Sequence, residues 1–201
     1  MDQFSSDQRN DSLQHLTETD SNNKLVLFSL LNTICNYDPS GWLPYNHLLF
    51  SDPQEPLFTS SLHLLLLLLY GNFQKNNQKN IFIKTFQEEF SSTHFDFILN
   101  KFSYLLHNPI KAKSTYLPHA KKSISSYKEL FSLLWIFFLE SPKFLKHFLE
   151  SKYLSILIHP YLYFLFNLRK SNEEIDFLKL LIYTIHHFSS QRNFGRHQIS
   201  F

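Results

Sequence analysis

Glycine is almost missing from this chain, with three in 201 residues. Tight β-turns and the phosphate-cradling loops of nucleotide-binding α/β folds need glycine where the backbone turns left-handed or approaches a ligand closely. Its scarcity favours helices. Cysteine occurs once, as Cys35, so no internal disulfide can form. Its apolar setting points to a buried, inert thiol in a reducing compartment such as the cytosol. Charge of one sign is lacking too: 19 basic and 17 acidic residues leave a net charge of +2, too little to draw the chain to nucleic acid. The polar start at Met1, Asp2, Gln3 and Phe4 lacks the apolar stretch of a secretory signal and the glycine of a myristoylation site.

Long hydrophobic runs are also few. Leu64 to Leu69 is short, and Tyr153 to Leu168 is interrupted by His159 and Pro160, whereas a spanning helix needs about 20 predominantly apolar residues. Both read as buried core helices, with a small integral membrane protein anchored through residues 153–168 as the alternative. What the sequence does have is bulk: 43% of residues are hydrophobic and 22 are Phe. That is ample for one core in a single domain of ordinary size.

Residues 1–23 are rich in Ser, Asp, Asn and Gln and read as a flexible polar tail, because little apolar surface is there to offset ordering entropy. Residues 24–195 read as helical and residues 196–201 as a divergent end. A first helix runs from Leu25 to Cys35 and stops before Pro39 and Gly41. Asp52-Pro53-Gln54-Glu55 places an N-cap, a first-turn proline and an N3 acid at the start of a helix that ends at Tyr70-Gly71. Ile81 to Phe90 follows. After Ser91-Ser92-Thr93, the spacing of Phe95, Ile98, Leu99, Phe102, Leu105 and Leu106 predicts an amphipathic helix ending at Asn108-Pro109.

The connector from Ile110 to Ser123 carries Lys111, Lys113, Lys121 and Lys122 and reads as a solvated loop rather than an anion site. Ile124 to Leu139 predicts a helix apolar nearly all round, and Ser141-Pro142 starts the next. Tyr153 to Ile158 and Tyr161 to Leu168 read as two pieces split at His159-Pro160. The last helix, Glu173 to Phe188, sets Ile175, Leu178, Ile182 and Ile185 on one face. The fold class expected is all-α: stacked helical hairpins, HEAT- or armadillo-like, without a strict repeat period.

No catalytic constellation is legible. The nucleophile elbow, the glycine-rich phosphate loop and the paired-histidine zinc motif are not found. Eleven histidines are dispersed, and the adjacent pair His186-His187 points to different parts of a helix surface, so no metal site is assigned. Glu88-Glu89 and Glu173-Glu174 belong to solvent faces and helix starts. The expectation is a protein that is not an enzyme and needs no cofactor.

One segment is too distinctive for a generic linker: Gly41-Trp42-Leu43-Pro44-Tyr45-Asn46-His47-Leu48-Leu49-Phe50-Ser51-Asp52. It resembles a signature of the high-temperature-induced dauer-formation protein family, related to dymeclin. Further matches appear in order at Phe97-Ile98-Leu99, Leu105-Leu106-His107-Asn108-Pro109, Thr115-Tyr116-Leu117-Pro118, Lys128-Glu129-Leu130 and Arg192-Asn193-Phe194-Gly195. The resemblance implies a non-catalytic helical scaffold or adaptor in Golgi and secretory-vesicle trafficking, cytoplasmic and peripheral at the Golgi membrane. Family members are several times longer, and the Val-Arg-Leu-Asn that follows Gly195 in the family is replaced here by Arg196-His197-Gln198-Ile199-Ser200-Phe201. The chain resembles an internal portion, and a truncated remnant without independent function is a further alternative.

Trp42, Pro44, Tyr45, Asn46 and His47 are the candidate partner-binding residues, since aromatics on loops form recognition anchors. The structural alternative is that Trp42 and Tyr45 fill a gap between helices while Pro44 stiffens the turn. The partners expected are other proteins, with self-association added because helix faces at a stack end leave apolar surface uncovered.

Overall fold

The computed structural model describes residues 20–39, 52–71, 80–114, 122–168, 174–191 and 194. Eight helices lie among the described residues: α1 (Asp20–Cys35), α2 (Gln54–Tyr70), α3 (Ile81–Glu89), α4 (Ser92–Lys113), α5 (Tyr127–Glu140), α6 (Pro142–Glu150), α7 (Tyr153–Leu168) and α8 (Ile175–Ser189). The fold is all-α. α4 packs against α1, α5, α6 and α7, and α5 packs against α2, α4, α6 and α8. These two central helices gather the others, and the contacts do not by themselves establish a HEAT- or armadillo-like arrangement.

The aromatic surplus fills the centre. Phe86 of α3 stacks on Phe137 of α5 with centroids 4.2 Å apart. Phe144 of α6 stands edge-on to Phe86, Phe95 and Phe137 at 5.6, 5.2 and 5.8 Å. A second group joins α5, α7 and α8: Phe131 and Tyr161 meet edge-on at 4.6 Å, and Phe138 meets Phe188 at 4.9 Å. The six apolar residues read as the inner face of α4 are all buried. Cys35 is buried as expected. Burial pushes its thiol up to about 12, against a small opposing pull from Lys101, so it stays protonated and unreactive.

Helix starts follow the capping signals. Asp52 Oδ1 accepts the Gln54 N–H at 2.9 Å, and Ser141 Oγ accepts the Phe144 N–H at 3.3 Å ahead of Pro142. Gly71 ends α2 without using a left-handed conformation, at φ −65°. The end is tied down from the next helix instead. Asn80 donates to the Leu68, Leu69 and Gly71 carbonyls at 2.6, 3.1 and 3.2 Å, while its Oδ1 accepts from Phe82 and Ile83 at the start of α3.

Four expectations are corrected. α4 runs through Pro109 to Lys113, and α7 is one helix through Pro160. Each proline removes one bond to the carbonyl four residues back, but both rings are buried, and that packing overrides the local preference. α1 opens at Asp20, four residues before the apolar periodicity. In α8 the buried residues are Phe177, Leu181, Thr184 and Phe188. Ile175 and Ile182, which the spacing placed on the inner face, are each 48% exposed. α8 is apolar on two faces, and the larger rings took the core.

Because Phe86 joins three helices and is 1% exposed, Phe86→Ala leaves a cavity at their meeting point. The expected loss is about 3–5 kcal/mol of unfolding free energy, read from urea denaturation followed by circular dichroism.

Candidate functional site

Trp42, Pro44, Tyr45, Asn46 and His47 lie outside the described residues. The structure instead shows how the signature segment is anchored, because Tyr37 precedes it and Asp52 is its last residue. Tyr37 Oη donates to Asp52 Oδ2 at 3.0 Å. Lys122 Nζ reaches the same oxygen at 3.3 Å and Glu55 Oε2 at 2.5 Å. The Tyr37 ring stacks on Phe58 of α2 with centroids 4.3 Å apart. One hydroxyl, two carboxylates and one ammonium thus join Tyr37 and Asp52, which lie on either side of residues 40–51 in the sequence.

Lys122 corrects a sequence expectation. It was grouped with the solvated basic connector, yet its side chain is only 17% exposed, held between two acids from α2 and its entry. The chain beside it is fixed by Asn108, buried in α4, which donates to the Lys122 carbonyl at 3.1 Å and accepts the Ile124 N–H at 2.8 Å. Of the other connector lysines, Lys111 sits over the Tyr104 ring at 5.9 Å, and Lys121 is outside the described residues.

The electrostatics follow the contacts. Burial raises the Tyr37 hydroxyl above the usual phenol range, and its bond to Asp52 and the carboxylates of Asp52, Glu55 and Asp38 add to the rise. Burial would also raise the Asp52 carboxyl, but the Gln54 N–H, Tyr37 and Lys122 together hold it below the ordinary carboxylate range. Asp52 therefore stabilises the fold above about pH 4, and that contribution is lost as pH falls through its folded-state value. Beside this anchor lies a cleft of about 190 Å³ lined by Asn32, Thr33, Tyr37, Gln54 and Leu57 among others.

A second cluster sits where α4 meets α7. His107 Nδ1 lies 2.7 Å from the Ser103 carbonyl, so it carries the proton and Nε2 is free to accept. His159 Nδ1–H then donates to His107 Nε2 at 3.4 Å. The rings are nearly parallel, at 19°, with centroids 5.4 Å apart. That separation exceeds the nitrogen-to-nitrogen distance, so the rings meet edge to edge rather than face over face. Burial holds His107 below the usual imidazole range, with the Ser103 carbonyl acting against it and His159 and Lys111 reinforcing it. Neither this pair nor the Asp52 anchor was legible in the sequence, where partners 52 and 70 residues apart carry no spacing signal.

Among the described residues no three His, Cys, Asp or Glu side chains are placed to hold a metal ion. His187 stands edge-on to Trp135 at 5.6 Å and the neighbouring His186 is exposed, so the pair diverges as its spacing predicts. Glu89 pairs with Lys24, and Glu174 with Lys128 at 2.8 Å. These acids brace helices against one another.

Three outcomes follow. A double-mutant cycle on Asp52→Ala and Lys122→Ala should give a coupling of about 1 kcal/mol, and Tyr37→Phe should cost about 1 kcal/mol, both by urea denaturation. For His107, a folded-state value below the ordinary imidazole value of about 6.5 means that stability is full above that pH and is lost as pH falls through the folded-state value. The melting temperature should drop between pH 7 and pH 5, and His107→Gln should flatten that part of the profile.

Comparison with known proteins agrees with the family resemblance. The family described as Hid1, high-temperature-induced dauer-formation protein, matches residues 2–199. The chain is 32% identical to "Protein HID1" of Mus musculus over 205 aligned residues, covering 91% of this chain and 26% of the relative. The corresponding human protein is 31% identical with the same coverage. A more distant relative, the "Ubp5-interacting protein ftp105" of Schizosaccharomyces pombe, is 23% identical, covering 84% of this chain and 20% of its own length. No solved structure matches. The chain spans about a quarter of the length of the curated relatives named first. With the match running over nearly all of its residues, the chain belongs to the Hid1 family of high-temperature-induced dauer-formation proteins.

Proposed function

We propose that this chain is a non-catalytic helical scaffold or adaptor in Golgi and secretory-vesicle trafficking, cytoplasmic and peripheral at the Golgi membrane. Its partners are proteins, and it uses neither cofactor nor small-molecule substrate. The observation that carries this is the family match over residues 2–199, joined to a relative whose name records an interaction with another protein. The contact geometry is consistent with it. The charged and polar groups beside the signature segment are spent on one another, at Tyr37, Asp52, Glu55 and Lys122. Trp42, Pro44, Tyr45, Asn46 and His47 are the residues proposed to meet a partner.

The membrane-anchor alternative fares worse. No described helix is long and apolar enough to cross a bilayer, and the 16 residues of α7 extend about 24 Å, short of the ~30 Å hydrocarbon core. The remnant alternative predicts a deletion with no consequence.

The test is imaging of the tagged chain at native level together with secretion assays in a deletion strain. Overlap with Golgi markers and slowed secretion are expected. Uniform distribution with normal secretion would contradict the proposal. Trp42→Ala and Tyr45→Ala should change which proteins co-purify while leaving the melting temperature within about 2 °C, as for surface substitutions; a large fall in melting temperature with unchanged partners would show that these rings only pack.

A further inference from the structure

We infer that His107 of α4 and His159 of α7 form a two-histidine site for a divalent ion of the zinc class, which ties the two helices together at the surface. The ligating atoms are His107 Nε2 and His159 Nδ1, and the ion takes the place of the proton that these nitrogens share. It acts as a clamp and performs no chemistry of its own. The spacing supports this first. The two nitrogens are 3.4 Å apart, longer than an ordinary hydrogen bond from a nitrogen donor, at about 2.7–3.2 Å. Tetrahedral zinc holds imidazole nitrogens at about 2.0–2.1 Å, which sets two of them about 3.3–3.4 Å from each other. The ring centroids, 5.4 Å apart, fit as well, since rings aimed at one tetrahedral ion have centres about 5.2 Å apart.

The second support is the surrounding shell. A ligating histidine commonly gives its other ring N–H to a carbonyl, which fixes the tautomer and the orientation of the ring. His107 is held in that way: its Nδ1 lies 2.7 Å from the Ser103 carbonyl, so the Nε2 lone pair is directed to His159. The Ser103 hydroxyl is itself bound, to the Asn100 carbonyl at 2.8 Å, and leaves the histidine arrangement undisturbed. His107 also lies in the matched stretch Leu105–Pro109, where Asn108 clamps the chain at Lys122 and Ile124 and the histidine has no such structural task.

The third is placement. Both ligands ride on helices that pack directly against each other, and regular elements hold a site more closely than loops do. His159 is exposed, so an ion reaches the pair from water. Among the described residues no third His, Cys, Asp or Glu completes the set, which leaves the other positions to water and makes the site an exchangeable one rather than a closed structural centre. Two imidazoles without a carboxylate select zinc or copper over magnesium or calcium. Lys111, a cation that acts on His107, has its Nζ directed to the Tyr104 ring, 5.9 Å from the centroid, and lowers the affinity through its charge. The inference does not rest on the trafficking proposal.

The test is titration of Zn²⁺ into the full 201-residue chain, stripped of metal beforehand, with the histidine ring nitrogens followed by ¹⁵N NMR and stability by thermal melting. The His107 Nε2 and His159 Nδ1 resonances should shift together, and the melting temperature should rise by about 3–6 °C once free zinc exceeds its dissociation constant about tenfold. His107→Ala and His159→Ala, each alone, should abolish that rise, whatever each does to the metal-free melting temperature. The ring of His159 is exposed, so its variant keeps the fold and carries the test by itself. His63→Ala on α2 should keep the rise, and Mg²⁺ at the same concentration should produce none. Unshifted ring nitrogens at about 1 mM zinc, a concentration that reveals even weak sites, overturn the inference. So does a rise that survives His159→Ala, one lost on His63→Ala instead, or an equal rise with Mg²⁺. Normal trafficking by a His159→Ala chain that no longer responds to zinc leaves the functional proposal standing.

Discussion

The stacking of Phe86 on Phe137, with Phe144 set edge-on to both, is the contact on which the helix packing turns. α3 has nine residues and α6 has nine, too short to hold together alone in water. Each places a large ring in the same cluster. The arrangement explains how a chain with three glycines and eight prolines reverses direction so often. Its turns are held by side chains rather than by backbone freedom: Asn80 closes α2 onto α3, Asn108 fixes the entry to α5, and Ser141 caps α6.

Three motif residues within described structure, Asp52, Asn108 and Lys128, share one kind of task. Asn108 clamps the chain at Lys122 and Ile124, Lys128 reaches Glu174 across the α5–α8 contact, and Asp52 gathers Tyr37 and Lys122. Each joins elements distant in sequence through a polar contact at the edge of an otherwise apolar core. Such contacts give modest stability and high geometric selectivity, since a slipped helix leaves a partly buried donor or acceptor unmet. The consequence for the signature segment is mechanical. Tyr37, just before it, and Asp52, at its end, are held together beside α2.

How much of this could be read from the sequence depended on whether the signal was local. The inner face of α4 was legible because Asp96, Asn100, Lys101 and Ser103 interrupt its apolar positions and set the period. Starts at Asp52-Pro53 and Ser141-Pro142 were legible because capping is a matter of three or four adjacent residues. Pro109 and Pro160 misled, since a local rule cannot see the packing that overrides it. α8 misled for a different reason. With Phe177, Leu178, Leu180, Leu181, Ile182, Ile185 and Phe188 all apolar, several faces satisfy the same periodicity, and only three-dimensional fit selects the one with the rings. Lys122 was lost among neighbouring lysines because its partners Asp52 and Glu55 lie 70 and 67 residues away.

The same surplus bears on how α7 is understood. An uncharged helix with Ile156, Leu162 and Phe166 partly exposed is what a membrane anchor would display, and by composition alone the two cannot be told apart. Length and neighbours separate them. α7 is short of the bilayer core, its inner side is committed to Phe131 and Phe188 through Tyr161, and its flank meets α4 through the hydrogen-bonded His107 and His159. Moving α7 into lipid would break those contacts and strip the core of its second aromatic group.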